Sequence, residues 1–487
     1  MAGPHHYRIA VIGAGFGGLG AAIRLRQRGH DDFVVLDRGS EVGGTWRDNT
    51  YPGCACDVPS HLYSFSFGLN PDWSRSFSGQ AEIWAYLRRC AREHGIDQHL
   101  RLATEVHGAA WDGGRWAIET SRGPLTADVL ISAAGPLCEP VSPKLPGLET
   151  FTGEAFHSAR WRHDYDLTGR RVAVVGTGAS AIQFVPAIAP AVARLHLFQR
   201  TPPWVMPKAD RPISRLERRA FRAVPGLQRL ARTGVYWGRE AQATGFLQPV
   251  VMRLGQRTAR AHLRRQVPDP ELRAKLTPHY RMGCKRILLS NDYYPALSRS
   301  NVELVTDGIA EVRPDAVVSA DGTARPVDAI IFGTGFHVSD TPIAEQIRGR
   351  DGRTLAEAWE GSPKAHLGTT VAGFPNLFLL LGPGTGTGHT SVVFMIESQL
   401  AYVLDALRHL DRTGGAAIEP TAAAQRAFVS TLDRKMAGTV WQSGGCRSWY
   451  QDATGRVSAI WPGYTWSYRL RTRRFDPNDY QVVTRAQ

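Results

Sequence analysis

Residues 7–39 read YRIAVIGAGFGGLGAAIRLRQRGHDDFVVLDRG. Tyr7 to Ile12 is a short, largely apolar run bounded by glycine, and it predicts a buried strand. Gly13, Gly15 and Gly18 follow at G-x-G-x-x-G spacing. Leu19 to Arg28 has apolar residues at helical spacing and stops at Gly29. Phe33 to Leu36 predicts a second strand ending at Asp37. Strand, tight turn, helix and strand make one βαβ unit of the kind that binds a dinucleotide. The first glycine allows the tight turn, the second lets the backbone approach a pyrophosphate, and the third lets the helix pack on the strand. The helix N-terminus then faces the phosphates. Asp37 stands where an acid can bond a ribose hydroxyl.

The same plan recurs downstream. Arg171 to Val175 predicts a strand, Gly176-Thr-Gly178-Ala-Ser180-Ala181 a second glycine turn, Ala181 to Ile188 a helix, and Leu195 to Phe198 the next strand. After this second strand stands Gln199-Arg200-Thr201 instead of an acid. A cation there suits a ribose 2′-phosphate, so the second site is expected to take NADPH rather than NADH. Two nucleotide sites in one chain point to hydride passing from nicotinamide to a flavin, and from the flavin to an acceptor. A disulfide and O₂ are the main candidates for that acceptor. Cys54 and Cys56 are the closest cysteine pair, and their C-x-C spacing is wrong for a disulfide reductase.

The rest of the chain sets the frame. Its 487 residues call for two or three domains. The proline-rich stretch 135–147, GPLCEPVSPKLPG, reads as a crossing between them. The formal net charge is +14, with much of the excess between Arg211 and Arg286, mixed with Glu and apolar residues at helical spacing. Solvated helix faces explain that pattern better than a nucleic-acid patch. The six cysteines follow no zinc spacing, no metal site is expected, and reduced thiols in a cytoplasmic protein are the simplest reading. The most apolar stretch, Phe374 to Leu381, is too short to span a bilayer, and the N-terminus lacks the apolar core of a signal peptide.

Between the two turns stands Phe151-x-Gly153-x-x-x-His157-x-x-x-Trp161. Upstream lie Gly43-Gly44-Thr45-Trp46, then Tyr51-Pro52-Gly53, then Asp57. Together these patterns resemble those of type I Baeyer–Villiger monooxygenases. The resemblance covers nearly the whole chain. Gly283-Cys284-Lys285-Arg286, followed by Asp292-Tyr293-Tyr294, resembles the segment that carries the family's essential arginine. Asp328 to Gly335 resembles the segment returning the chain to the FAD domain, and Gly373 to Phe378 with Gly382-Pro383 the stretch lining the flavin. Two departures stand out. Arg162 follows Trp161 where the family usually has Pro or Asp, and Ala133-Ala134-Gly135 replaces the usual Ala-Thr-Gly.

The resemblance implies an α/β fold with two Rossmann-like dinucleotide-binding domains and a helical insertion. Residues 1–140 would form the first part of the FAD domain. Residues 150–325 would form the NADP domain, with the insert at about 208–284. Residues 326–487 would form the second part of the FAD domain and a tail. It also implies insertion of one oxygen atom from O₂ beside a ketone carbonyl of a small molecule, through a C4a-peroxyflavin, to give an ester or lactone. Arg286 is the expected catalytic cation and Asp57 its partner. Gly13, Gly15, Gly18 and Asp37 are expected at FAD, with Trp46 near the flavin ring, and Gly44, Thr45 and Asp57 are expected among the cofactor-binding residues. Gly176, Gly178, Ser180, Arg200, Thr201 and Lys285 are expected at NADPH. His157 and Trp161 are expected to couple the domains rather than to move protons. The same scaffold also admits an N- or S-oxygenating flavin monooxygenase. A disulfide or quinone reductase, or a flavin-binding module without turnover, are readings from other classes.

Overall fold

The computed structural model describes residues 4–414 and 417–483. Two parallel sheets organise it. In the first, Leu377–Leu379, Leu125–Ser132, His5–Ile12, Phe33–Leu36 and Leu100–Arg101 lie side by side in parallel. Ile9, Ala10 and Val11 are completely buried because helices or strands cover both faces of this sheet. Helix Phe16–Gln27 packs against helix Val392–Arg412 on one side. Beside Leu377–Leu379, the other end of Leu125–Ser132 pairs with the antiparallel strand Trp116–Thr120, then come Val106–Trp111 and the closing strand Ile347–Arg348.

The second sheet has five parallel strands in the order Val302–Val305, Arg194–Phe198, Arg171–Val175, Ala329–Phe332, Glu154–His157. This corrects the boundary expected at 325/326. Ala329–Phe332 lies between two strands of the second unit, and the chain returns to the first unit only after Gly333. A four-residue apolar run suits either sheet, and pairing partners on both edges decide where it goes.

The insert forms helices Arg215–Ala223, Leu227–Leu247, Met252–Gln266 and Pro270–Lys275. The last begins at Asp269, whose carboxylate accepts from the backbone N–H groups of Glu271 and Leu272, with Pro270 in the first turn. The basic charges of this region are not all solvated. Arg232 is buried and donates to the carbonyls of His61 and Leu62 at 2.8 and 3.0 Å, which ties the insert to the first unit.

The tryptophan-containing tail folds back on the insert. Trp441, Tyr450, Val457 and Ile460 share a core with Phe246, Met252, Tyr280 and Cys284. Trp441 stacks on Phe246 with ring centroids 5.3 Å apart. Cys284 and Cys446 are joined by a disulfide across 162 residues, contrary to the expectation of reduced thiols throughout. Spacing along the chain holds no sign of a pair that only tertiary folding brings together. The other four cysteines are free. Among the described residues, no helix is long and apolar enough to cross a membrane, and no group of His, Cys, Asp or Glu could hold a metal ion.

Candidate active site

The two glycine turns repeat each other in detail. Gly13 has φ +100°, and a Cβ on it would lie 2.6 Å from the Ala133 carbonyl oxygen. Gly176 has φ +106°, and a Cβ there would lie 2.6 Å from the Gly333 carbonyl oxygen. Each turn thus crosses beneath the neighbouring strand of its sheet with no room for a side chain. The second glycines are different. A Cβ on Gly15 would meet only the Gly44 backbone, at 3.6 Å and beyond, and one on Gly178 would meet nothing closer than 3.9 Å. Both face one continuous cavity of about 1730 Å³ between the two units. Helices begin at Phe16 and at Ala181, so unpaired backbone N–H groups point at that space. The volume exceeds the roughly 300–1,000 Å³ of a single small-ligand pocket.

Opposite charges mark the two ends. At the first turn, Asp37 is buried and accepts from the Ala14 and Gly39 backbone N–H groups and from the Arg47 guanidinium, each at 2.7 Å. Arg47 comes from the four-residue helix Thr45–Asp48, directly after Gly43-Gly44. Gly44 has φ +51°, and a Cβ on it would come within 3.0 Å of the Gly15 Cα, so this glycine pair closes against the first turn. Thr45 and the buried Trp46 line the cavity, and the Trp46 indole N–H donates to the Tyr63 hydroxyl at 3.1 Å. At the second turn, Arg200, Thr201 and Lys285 line the cavity, with Ser180 beside them. Burial, and then the charge of Arg200, push the Lys285 ammonium below its ordinary value. Two adjacent cations on the wall form a ready receptor for a phosphate.

The same cavity wall carries an ion pair. The Arg286 Nε and Nη2 donate to the two Asp57 carboxylate oxygens at 2.7 and 2.8 Å, in bidentate geometry. Both residues line the cavity, each with about a quarter of its side chain exposed. Burial alone would raise the Asp57 carboxyl. The adjacent guanidinium overcomes this and holds it below its ordinary value. The Asp57 charge in turn raises Arg286, so the pair stays ionised. The Arg286 Nη1 reaches the Thr387 carbonyl only at 3.4 Å.

The whole chain can now be set beside known proteins. It is 57% identical over 486 residues to a Baeyer–Villiger monooxygenase of Streptomyces coelicolor, a match covering 99% of this chain and 93% of that protein. The chain belongs to the Baeyer–Villiger monooxygenase family. A family member from Pseudomonas aeruginosa is 51% identical, again over 99% of this chain and 93% of its own length. Among solved structures, cyclohexanone monooxygenase from Rhodococcus sp. Phi1 bound to NADP⁺ matches with TM-score 0.86 and 29% identity, covering 99% of this chain and all of that one. Oxidised steroid monooxygenase bound to NADP matches with TM-score 0.85 and 31% identity, over 98% and 100% of the two chains. The family model for pyridine nucleotide-disulphide oxidoreductases matches residues 10–219, the span holding both glycine turns.

The patterns that signalled a Baeyer–Villiger monooxygenase in the sequence fall on close contacts, some between the units and some within the second. Gly53 has φ +78°, and a Cβ on it would lie 2.7 Å from the carbonyl oxygen of Gln183, in the second unit's helix. The Tyr51 hydroxyl donates to the Gln183 side chain at 2.9 Å, whose amide donates in turn to the Ala55 carbonyl at 2.9 Å. Phe151 and Gly153 open the edge strand Glu154–His157, and a Cβ on Gly153 would lie 2.4 Å from the Asp328 carbonyl oxygen. Trp161 packs on Phe156 and Phe184, with centroids 5.3 and 5.5 Å away. His157 is buried where the two linkers cross, with the Phe336 ring 5.6 Å away. Burial lowers its imidazole to about 4. Neither His157 nor Trp161 lines the cavity.

Burial pushes the Cys54 thiol up to about 11, and Cys56 higher still, so neither supplies the thiolate a disulfide reductase requires. Sequence reasoning missed Arg47, Gln183 and the tail residues Arg447, Ser448 and Trp449, which also line the cavity. Arg47 directly follows the Gly-Gly-Thr-Trp pattern and could have been found as the counter-charge to Asp37. The others carry no local signal.

Proposed function

We propose that this monooxygenase takes hydride from NADPH through FAD and inserts one oxygen atom of O₂ beside the carbonyl of a small ketone, giving an ester or lactone. The Asp57–Arg286 pair on the wall of the cavity that both glycine turns share carries the reading. FAD belongs at the Asp37 end and NADPH at the Arg200 end. The open glycines Gly15 and Gly178 leave space for pyrophosphate, and Arg200 with Lys285 matches a 2′-phosphate. Bound flavin supplies the two-electron relay and the activation of oxygen.

The chain supplies position and charge. Ester formation from a ketone passes through negative charge on oxygen. A guanidinium stays protonated at any working pH and stabilises that charge from a preorganised site. Asp57 engages two of its nitrogens and fixes the plane of the group, which leaves N–H bonds of Nη1 and Nη2 free to turn toward the cavity. Trp46, Tyr63 and Leu381 give the wall an apolar surface that excludes water from the reacting atoms. Reliance on NADPH supports a cytoplasmic enzyme.

A ketone panel with labelled O₂ tests the reaction: one label should enter an ester or lactone. Oxidation of amines or sulfides alone would transfer the chain to the heteroatom-oxygenating class. Arg286→Ala is expected to lower oxygenated product on the order of a hundredfold or more while NADPH still reduces the flavin. Wild-type product in that variant would remove Arg286 from the chemistry.

A further inference from the structure

Asp57 holds the Arg286 guanidinium along one edge only. A bidentate pair of this kind can still rock about its own axis, and the far nitrogen has only the long 3.4 Å contact to the Thr387 carbonyl. Something must fix the other edge if the remaining N–H bonds are to be aimed at a reacting oxygen, because sub-ångström placement matters for such a donor.

The tail brings a candidate to the Arg286 side chain. Cys446 is bonded to Cys284, two residues before Arg286. The covalent link carries the next residues onto the site, where Arg447, Ser448 and Trp449 line the cavity. Tyr450 then turns inward. It is 1% exposed, in the core shared with Cys284 and Tyr280, and the Trp449 ring packs against it at 4.3 Å. Its hydroxyl is buried and makes no hydrogen bond of good geometry to any protein group, yet it interacts with the Arg286 side chain. A buried hydroxyl left unpaired is destabilising. The unused N–H groups of the neighbouring Arg286 guanidinium are donors that would satisfy this hydroxyl. Burial pushes the phenol up to about 12, so it meets Arg286 as a neutral group able to accept.

We infer that Tyr450, delivered by the tail beside the Cys284–Cys446 bond, is a positioning residue that steadies the Arg286 guanidinium held by Asp57. Tyr450 is not itself on the cavity wall, so it acts through Arg286. The inference rests on the proposed role of Arg286.

Tyr450→Phe removes one oxygen and keeps the buried ring. In the holoenzyme with NADPH and a turned-over ketone, kcat for oxygenated product should fall about tenfold, and the yield of product per NADPH should fall with it. The KM for ketone and the rate of flavin reduction by NADPH should stay within about twofold, and Tm within about 2 °C. A merely structural tyrosine would lower Tm and move KM and kcat together, and that result overturns the inference. So does a kcat and coupling yield within about twofold of wild type. Arg286→Ala in parallel separates the two claims. If it loses product while Tyr450→Phe does not, only the role of Tyr450 fails. If it keeps product, the underlying reading of Arg286 fails.

Discussion

The two nucleotide-binding units are near copies that diverge at two places. In both, the first glycine passes 2.6 Å, at a notional Cβ, from a carbonyl of the adjacent strand, and the second faces open cavity. They part at the third position. Gly18 lies so close to the first glycine that a Cβ would be 1.7 Å from the Gly13 carbonyl oxygen, whereas the second unit carries Ala181 there, fully buried. They part again at the end of the second strand. Asp37 is saturated by backbone N–H groups and Arg47, while Arg200 faces Lys285. The backbone fold therefore sets where a pyrophosphate can lie, and one or two side chains beyond it set which nucleotide is held.

The largest expected effect tests the first divergence. Gly18→Ala forces a methyl into the Gly13 backbone, and neither the helix nor the strand can yield without unpacking. It should cost several kcal/mol. Purified chain should then carry little or no flavin, read as flavin absorbance per protein. A yellow, full-occupancy variant would show that the first turn is as permissive as the second.

A smaller effect tests the join between the units. His157 accepts from the Ala159 N–H through Nδ1 at 3.1 Å, and protonation would break that bond in a buried site. With the folded imidazole lowered to about 4 and the unfolded one near 6.5, neither state holds the proton above pH 6.5. Below that, the unfolded chain takes it up first, so stability falls as pH falls from 6.5 toward 4, by up to roughly 3 kcal/mol. His157→Phe should flatten this part of the urea-midpoint profile. An unchanged slope would place the acid sensitivity elsewhere.

The smallest effect tests the second divergence. Arg200→Ala should raise the KM for NADPH about tenfold, or roughly 1.4 kcal/mol, and leave that for NADH nearly unchanged. Equal changes would mean that the 2′-phosphate is read by other groups.

What was legible in the sequence was what is local. Strands Phe33–Leu36 and Arg171–Val175 and helix Ala181–Ile188 fall where apolar period and glycine placed them, because the same few residues make the pattern and the structure. The Asp57–Arg286 pair was reached only through family resemblance, and the geometry brings the two residues together. Four features were beyond reach. The sheet that takes Ala329–Phe332, the disulfide of Cys284, the burial of Arg232 and the cavity face of the tail all depend on partners far along the chain. A short apolar run, a cysteine or an arginine reads the same in the sequence whichever partner it finds.

The contact at Gly53 has a mechanical consequence. Backbone of the first unit touches a helix of the second there with no side chain between them to compress, and the Gln183 bonds on either side hold it in place. Such a point acts as a fulcrum. Sliding of one unit past the other at Gly53 would drive backbone into backbone, whereas a rotation about that point would not. A load applied at the second glycine turn would therefore act on the cavity through this contact as a lever rather than as a shear.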